Sequence, residues 1–548
     1  MSNKIRSFSL KFPLLFYCFL VVFGCANIQH PQGGPRDLTP PKLLKATPPN
    51  MTRNFKAKEI RLEFDEFFKL NNPYQEITIS PTPAKLPEYN TSKKSIVVVL
   101  KDSLEKNTTY VINFGKAIVD VNEGNVLKNF TYVFSTGSHI DSLSMSGSVI
   151  NTLTQQKEKD ATVMLFTLKQ DSLLFGKKRP TIFTSTDTAG NFTLSNLHPG
   201  DYRIYALKET APNKIYDNDN ELIAFSKNTI HLASDTSNIQ LSLFKQTPQK
   251  FRLVDNRFDG DGKLFFTFNK PLAKPSIVVT YPPGFDNQKV VDFSPTRDTA
   301  IVFMRNMDFD SIRMVLMDNN KPVDTISKRK GRKESFQRVL NFQYNINRDN
   351  LLKPGADLIL KANFPIESFD PALISLKEDS AEVTNFTLLK DTADARVFRL
   401  KYRWKQIDRY TLTLNEGAFT DIYGDKNKRL PLKRFQADKP ENYGTLNLVV
   451  TVPDTGRSYI VEFLNDQKTV LRSDVIRKNT TLHYRDYPAA KYNLRVVYDD
   501  NGNGKWDSGN VKQRVQPENI WVNDSTLTLR ANWEQDVPVK IPKEPVTP

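Results

Sequence analysis

Apolar and polar side chains alternate along many short stretches of this 548-residue chain. In Ile60-Arg61-Leu62-Glu63-Phe64 every second side chain is apolar, as in a strand with one buried face. Similar runs follow at 77–79, 96–100, 110–114 and 130–134, and Pro, Asn and Gly residues separate them. With 36 Phe and 19 Tyr but only 8 Met, the pattern predicts an all-β protein. The length predicts roughly three to five domains.

An apolar segment from Pro13 to Gly24 opens the chain, behind the basic side chains of Lys4, Arg6 and Lys11. A membrane-spanning helix needs about 20 apolar residues, so this segment is too short to be a permanent anchor. A positive flank followed by a short apolar core is typical of an export signal. The sequence therefore predicts a signal peptide at 1–24 and an exported protein.

The end of that segment, Val22-Phe23-Gly24-Cys25, resembles the lipobox of bacterial lipoproteins, although Phe23 is bulkier than the usual residue. The resemblance implies cleavage before Cys25 and a covalent lipid on its thiol. The alternative is an ordinary secretory signal followed by an incidental cysteine. Because Cys18 is the only other cysteine, the mature chain would have no thiol left for a disulfide or for catalysis.

Two proline-rich segments are expected to stay outside any core. Residues 25–50 contain six prolines and residues 534–548 contain four. The first is predicted to be an extended tether that follows the lipidated cysteine, and the second an extended, mobile tail.

Five separated elements give residues 38–138, the first domain, a recognisable order. They are FDEFFKL, Ser80-Pro81, LEKNTTY, DVNEGN and FSTG. This order resembles the bacterial Ig-like domain of the SbsA type, which implies a β-sandwich used as a spacer or adhesion module, without catalytic residues. Leu264 to Leu272 echoes its opening, and 410–421 echoes 110–120 with one residue of slip. Further Ig-like domains are therefore predicted at 250–345, the third domain, and 346–438, the fourth domain.

A different unit is predicted at 143–245, the second domain. Its Gly190-Asn191-Phe192 and Pro199-Gly200-Asp201-Tyr202 elements resemble the transthyretin-like or carboxypeptidase-regulatory-like sandwich. The same unit returns at 441–533, the fifth domain, where 492–507 aligns with 202–217 without a gap. Self-similarity at this period indicates an array of whole domains. The predicted architecture is therefore an elongated array of tandem β-sandwiches, Ig-like and transthyretin-like.

The formal net charge is +16, and removal of the three basic residues of the signal leaves +13. Nucleic acid is the usual partner of such a charge, but the predicted export argues against it, and an anionic outer-membrane surface or an acidic partner fits better. The sharpest basic run, from Lys328 to Lys333, has no aromatic residue within it. A solvated loop is therefore the simpler interpretation of that run.

One segment has the spacing of a calcium loop. Its oxygen donors are Asp499, Asn501 and Asn503, the backbone carbonyl of Lys505, and Asp507. These residues fall at positions 1, 3, 5, 7 and 9, and Gly504 falls at position 6, where such a loop turns sharply. Position 12 is Asn510 rather than Glu, so weak Ca²⁺ binding is predicted. The alternative is a plain turn, since Asn, Gly and Asp are also the commonest turn formers.

The second domain tests this hypothesis within the chain. Opposite Asp499, Asn501, Asn503 and Asp507 stand Glu209, Ala211, Asn213 and Asp217. One donor is lost and Pro212 replaces Gly502, so no metal is expected at the matching loop. Asp217, Asp219 and Glu221 could form a separate site, although solvated acids in a turn are the simpler interpretation.

No nucleophile elbow, phosphate loop or zinc-protease motif occurs in the sequence, and no enzyme is predicted. The whole plan resembles the Ig-like-domain lipoproteins of Bacteroidota, which implies an outer-membrane protein that acts through protein contacts. A scaffold or accessory subunit of an outer-membrane β-barrel machine is predicted. The alternative is a surface adhesin or glycan-binding protein, with Tyr202, Tyr205 and Tyr216 as candidates for an exposed aromatic row, although core packing is the other explanation for at least some of them. No acid lies between Cys25 and Asp37, which favours the periplasmic face without deciding between the two faces.

Overall fold

The computed structural model describes residues 37–174, 179–210, 213–218, 220–331, 336–406 and 408–544. The predicted signal peptide, the lipidation site Cys25 and residues 26–36 of the predicted tether lie outside the described residues, as do Arg332 and Lys333 of the basic run. The chain divides into two compact units, with the boundary between Asp141 and Ser142. In the described part of the chain, no helix is long and apolar enough to cross a membrane.

Strands make up almost all of the regular structure, which confirms an all-β protein built from tandem β-sandwiches. The first domain has the strands β1 (Leu43–Thr47), β2 (Glu59–Phe64), β3 (Phe68–Leu70), β4 (Thr78–Ser80), β5 (Glu88–Ser92), β6 (Ser95–Val99), β7 (Thr109–Asn113), β8 (Ile118–Asp120), β9 (Val126–Leu127) and β10 (Thr131–Ser135), and the helix α1 (Pro73–Glu76). Its sheets have the orders β1-β2-β6-β5, β10-β7-β4 and β3-β8-β9.

In β2, buried and exposed side chains alternate in the same order as the apolar and polar residues of its sequence. Ile60, Leu62 and Phe64 are buried, whereas Glu59 and Arg61 are exposed. The apolar face packs into a core shared with strands β6, β7 and β10. Strand β1, which pairs with β2, lies inside the range 25–50. The tether prediction is therefore wrong for the residues of β1.

The second domain has the strands β11 (Leu143–Asn151), β12 (Thr162–Thr167), β13 (Ile182–Ser185), β14 (Asn191–Leu197), β15 (Gly200–Lys208), β16 (Leu222–Phe225), β17 (Ile230–Leu232) and β18 (Thr236–Lys245), and the helix α2 (Leu168–Leu174). The fifth domain has the strands β37 (Tyr443–Thr451), β38 (Ser458–Asn465), β39 (Val470–Ile476), β40 (Thr480–Pro488), β41 (Ala490–Asp499), β42 (Ile520–Val522), β43 (Leu527–Leu529) and β44 (Glu534–Lys540).

These two domains repeat most of one topology, although β16 pairs with β18 whereas the corresponding strands β42 and β44 lie in separate sheets. Strand β11 pairs with β14 antiparallel and with β18 parallel, as β37 pairs with β40 and β44. Strand β15 pairs with β12, β16 and β17, as β41 pairs with β38, β42 and β43. The tyrosines that open the aligned segments also match, because Tyr202 and Tyr492 each donate their hydroxyl to the carbonyl four residues earlier, at 2.8 and 2.7 Å.

The tail predicted at 534–548 is wrong at its start. Residues 534–540 form β44, and Val539 and Ile541 are buried in the core of the fifth domain. Pro538 misled the prediction, because proline is tolerated in a strand at the edge of a sheet. Strand β44 is such an edge strand, in the order β40-β37-β44.

The third domain has the strands β19 (Leu253–Phe258), β20 (Leu264–Phe268), β21 (Pro275–Tyr281), β22 (Lys289–Phe293), β23 (Thr299–Met304), β24 (Ser311–Asp318) and β25 (Lys321–Arg329). Between the third and fourth domains lies β26 (Phe342–Tyr344), which pairs with the fourth. The fourth domain continues with β27 (Leu351–Leu352), β28 (Leu358–Ala362), β29 (Ile366–Phe369), β30 (Ile374–Glu378), β31 (Ala381–Val383), β32 (Thr387–Lys390), β33 (Val397–Lys401), β34 (Arg409–Leu414), β35 (Phe419–Asp421) and β36 (Lys433–Ala437). Short 3-10 turns span Asp286–Gln288, Pro371–Leu373 and Pro440–Asn442.

The first and fourth domains also repeat one plan. Sheet β26-β28-β33-β32 corresponds to β1-β2-β6-β5, and strands β36-β34-β30 correspond to β10-β7-β4. In both domains a buried tyrosine hydroxyl accepts a backbone N–H five residues upstream. The pairs are Glu105 N with Tyr110 Oη at 2.9 Å and Lys405 N with Tyr410 Oη at 2.7 Å. The echo between 110–120 and 410–421 is therefore structural.

Replacement of Tyr410 by Phe is expected to lower the stability of the fourth domain by about 1 kcal/mol, because the N–H of Lys405 loses its acceptor. Trp404, whose ring centroid lies 4.9 Å from that of Tyr410, reports the unfolding transition by fluorescence. Tyr281→Phe, at an exposed tyrosine, is the control and should leave that transition in place. Equal transitions for both variants would show that the hydrogen bond contributes nothing.

Candidate cation loop and the interdomain contacts

The residues of the predicted calcium loop come together at the end of β41. Asp499 is almost completely buried, and its two carboxylate oxygens accept the backbone N–H groups of Asn503 and Gly504, both at 3.0 Å. Asn501 Oδ1 also accepts the N–H of Asn503 at 3.0 Å. Gly504 has φ +73°, a conformation that favours glycine. The alternating side chains thus bend the chain into the tight loop that the spacing predicts.

The same side chains are also paired with one another. The amide of Asn503 donates to Asp507 Oδ2 at 2.7 Å, and the amide of Asn501 donates to the same oxygen. Asn503 Oδ1 accepts the N–H of Lys505 at 2.8 Å. A cation at this position would need both amides to turn their oxygens toward it. Among the described residues, no cluster of three or more His, Cys, Asp or Glu is placed to hold a metal ion.

Glu518 is the residue of this loop that the sequence analysis missed. It is largely buried, and its two oxygens accept the N–H groups of Asp500 and Asp507, each at 2.9 Å. Burial raises the pKa of its carboxyl, and the nearby carboxylates of Asp507 and Asp499 raise it further. Glu518 therefore closes the loop from the side where β42 begins. The sequence signal for this role was an acid at the end of the loop in both copies, Glu518 in the fifth domain and Glu221 in the second.

The second domain has the same closure at Glu221. This residue is buried, and its Oε2 accepts the N–H groups of Asp217 and Asn218 at 3.3 and 3.4 Å. Glu209, opposite Asp499, accepts the N–H groups of Asn213 and Lys214, and the amide of Asn213 donates to Asp217 at 3.0 Å. Ala211, Pro212 and Asp219 lie outside the described residues. The two loops thus share one hydrogen-bond pattern, although their sequences differ.

Calcium binding by the fifth-domain loop stays a prediction. We expect a Ca²⁺ titration followed by calorimetry to give a dissociation constant of about 10⁻⁴ to 10⁻³ M, the range of extracellular modules. Asp507→Ala should abolish the heat of binding, and Asp217→Ala in the matching loop should leave it unchanged. Absence of any heat with the unmutated chain would leave the loop as a plain turn.

An inserted segment distinguishes the fifth-domain loop from its copy. Ten residues, 508–517 (the interdomain loop), separate Asp507 from Glu518, whereas three separate Asp217 from Glu221. The interdomain loop contacts the second domain and the chain that leaves it. Thr247 N donates to Ser508 Oγ at 3.0 Å, Val511 N to Gln246 Oε1 at 2.9 Å, and Gln516 Nε2 to the carbonyl of Phe225 at 2.8 Å.

Arg514 makes the densest of these contacts. Its guanidinium donates to the hydroxyl of Tyr205 at 3.1 Å, to the carbonyl of Lys227 at 3.3 Å and to the carbonyl of Ser226. The Tyr205 hydroxyl itself donates to Asp171 of α2. Arginine suits this position because its planar donors can reach several oxygens at once. The second and fifth domains are therefore in contact, although about two hundred residues separate them in sequence.

The apolar part of this contact involves two of the three tyrosines proposed above as a glycan row, Tyr205 and Tyr216. Val511 is buried against a cluster of the second domain that includes Phe183, Tyr205, Phe225 and Phe244. Tyr202 is buried in the other core of that domain, and Tyr216 packs beside the cluster. The interpretation of these tyrosines as an exposed row is wrong, because Tyr202 and Tyr205 are buried and Tyr216 is half-buried in a loop.

The third and fourth domains are joined by a second set of contacts. Phe303 of β23 is completely buried in the core of the fourth domain, with its ring centroid 6.5 Å from that of Phe364. Arg396 of the fourth domain is mostly buried and lies 2.6 Å from Asp292 of the third and 3.1 Å from Asp394. Both carboxylates raise the pKa of Arg396 against the effect of its burial. Its charge is therefore held by carboxylates from both domains.

A cavity of about 450 Å³ lies against the second domain. Its lining is formed by residues 146–148, 191–193, 238 and 240, whose side chains are mainly small hydroxyl and amide groups. No acid, histidine or lysine contributes to this lining, so the cavity holds no group for acid–base chemistry at neutral pH.

Residues 37–136 match the model of a family described as bacterial Ig-like domain. No curated protein matches the chain. Among solved structures, the chain is similar to the Bacillus anthracis TIE protein, at 9% identity over 93% of this chain and 75% of that chain with a TM-score of 0.14. It is also similar to the major pilin subunit BcpA of Bacillus cereus (9%, 73% and 99%, 0.13) and to the S-layer protein SbsC (10%, 84% and 65%, 0.15). TM-scores this low carry no argument about fold or function. The family match shows that the first domain is similar to bacterial Ig-like domains.

Proposed function

We propose that this protein is a non-enzymatic, lipid-anchored outer-membrane scaffold that acts through protein contacts, as an accessory subunit of a β-barrel machine. The observation that supports it best is the way its sandwiches are joined. Buried contacts at Phe303 and Arg396 and half-buried contacts at Arg514 fix domains to each other, and fixed domains hold their loops at set separations. The lipid on Cys25, the Bacteroidota-type plan and the transthyretin-like assignment of the second and fifth domains belong to the same proposal.

A detergent pull-down of the tagged chain from outer membranes, with mass spectrometry, tests this function. The expected result is a β-barrel protein recovered in stoichiometric amount with the unmutated chain. Cys25→Ser, which removes the lipidation site, is expected to release the chain from the membrane fraction and to lose the partner. Recovery of the lipoprotein alone would overturn the scaffold proposal and direct the next test to glycans.

A further inference from the structure

Two loops meet at one end of the first domain and expose apolar side chains there. Phe67 is 57% exposed and Val121 is 50% exposed, and the N–H of Val121 donates to the carbonyl of Phe67 at 3.3 Å. Leu38, 76% exposed, follows Asp37, whose carbonyl accepts the amide of Asn125 at 3.0 Å. We name Phe67, Val121 and the acids around them the docking end. Exposed apolar side chains with a polar rim are typical of an interaction site.

The fourth domain contains the same end in a covered state. Ile422 N donates to the carbonyl of Pro365 at 3.0 Å, so these two residues stand where Val121 and Phe67 stand. The strand pairing agrees, since Phe68 lies opposite Asp120 and Ile366 lies opposite Asp421. Pro365 and Ile422 are buried. One position pair is therefore covered in the fourth domain and exposed in the first.

Side chains from outside the fourth domain pack around this end of it. An aromatic ring, Phe303, packs into the same cluster as Phe364 and Ile422. The ammonium of Lys263 lies 4.6 Å from the ring centroid of Phe364. The guanidinium of Arg338 lies 3.8 Å from the ring centroid of Tyr423 and 3.3 Å from the carboxylate of Asp425. The cover thus combines one aromatic side chain with two cations.

The docking end of the first domain is suited to the same cover. Its exposed or half-buried acids are Asp37, Asp65, Glu66 and Glu123; Asp120 beside them is buried and accepts the N–H groups of Glu123, Gly124 and Asn125. Glu66 stands where the fourth domain has Phe364, and burial together with the other four carboxylates raises its pKa. Lys94 already lies 5.3 Å from the ring centroid of Phe67, which shows that this ring accepts a cation. A cationic surface would relieve the repulsion among these carboxylates.

We propose that the docking end binds a partner protein whose surface presents arginine or lysine beside an aromatic or aliphatic side chain. This inference rests on the proposed function, in which the partner is an outer-membrane protein. Twelve residues lead from Cys25 to Asp37, so the docking end lies within about 40 Å of the lipid. An anionic lipid surface is disfavoured, because it would repel the carboxylates of Asp37, Asp65, Glu66 and Glu123. A membrane protein with a basic loop is the occupant that fits.

The test compares the lipidated chain with the variant Phe67→Asp/Val121→Asp in the outer-membrane pull-down. The variant is expected to reduce recovery of the partner at least tenfold. Leu86→Asp, at an exposed leucine of the same domain, is the matched control and should retain the partner. Circular dichroism and thermal unfolding of both variants establish that the first domain stays folded. A photo-crosslinking residue at position 67 should label the same partner, and one at position 86 should not.

Three outcomes would overturn the inference. Equal recovery with the variant and with the unmutated chain would place the partner elsewhere and leave the scaffold function standing. Loss of binding to protein-free phospholipid vesicles in the Phe67→Asp/Val121→Asp variant, with vesicle binding by the unmutated chain, would make the docking end a membrane contact. Absence of any partner with the unmutated chain would overturn both this inference and the proposed function.

Discussion

Replacing Arg396 with alanine is expected to lower the stability of the contact between the third and fourth domains by about 3 kcal/mol. The guanidinium is mostly buried, and Asp292 and Asp394 lie 2.6 and 3.1 Å from it. Truncation would leave two carboxylates close together without their counter-charge. This loss of free energy is at the low end for a buried ion pair, because both carboxylates remain partly exposed to water.

Chemical denaturation followed by Trp404 fluorescence measures this effect, since Trp404 packs on the core that Phe303 of the third domain enters. The expected result is an earlier transition for Arg396→Ala and a smaller shift for Asp292→Asn, which removes one charge. Arg399→Ala is the control, because its ion pair with Asp391 is more exposed to water, and such pairs contribute about 0–1 kcal/mol. Equal shifts for Arg396→Ala and Arg399→Ala would contradict the account.

Replacing Arg514 with alanine is expected to separate the fifth domain from the second. The substitution removes hydrogen bonds from a charged donor to Tyr205, Ser226 and Lys227, a loss of about 2 kcal/mol. That loss corresponds to a roughly 30-fold shift from docked toward undocked domains. Arg514→Lys should recover part of it, because a lysine ammonium cannot reach several oxygens in one plane.

Trp506 measures the separation directly, because it packs into both apolar clusters at this contact. A chain that retains only this tryptophan should show a red-shifted emission with Arg514→Ala, since water would reach the indole. Lys512→Ala, at an exposed residue of the same loop, is the control and should leave the spectrum unchanged. An unchanged spectrum with Arg514→Ala would show that the arginine is not needed for docking.

The sequence predicts the strands well because their signal is local. Alternation in β2 and the aligned tyrosines 202 and 492 reflect burial and turn geometry within a few residues. The same local signals predict the bend at Asp499, since alternating polar side chains and a glycine in the left-handed region are both visible in the sequence. They do not decide between a turn and a cation site, because the amide oxygens of Asn501 and Asn503 can accept backbone N–H groups in a turn or bind a cation.

The interdomain contacts could not be predicted in this way. Residues 508–517 carry mixed polar and apolar side chains without a period, and their partners lie more than 250 residues away. A linear array would leave Tyr205 and Phe225 facing solvent, whereas Val511 of the fifth domain covers the cluster that contains them. Pro538 favours a tail in the sequence alone, because the sequence does not show that β44 pairs with β37 at the edge of a sheet.

The most direct test of a scaffold with fixed domains is an engineered disulfide between the fifth domain and the chain that leaves the second domain. Ser508 Oγ and Thr247 Oγ1 lie 3.0 Å apart, so Thr247→Cys with Ser508→Cys places two thiols in reach, in a chain whose Cys18 and Cys25 are replaced by Ser. The account predicts a rapid intramolecular disulfide in the monomer, seen as a faster band on a non-reducing gel. Thr247→Cys with Ser525→Cys is the control pair and should stay reduced. Free thiols in both pairs, or disulfides only between molecules, would contradict the account.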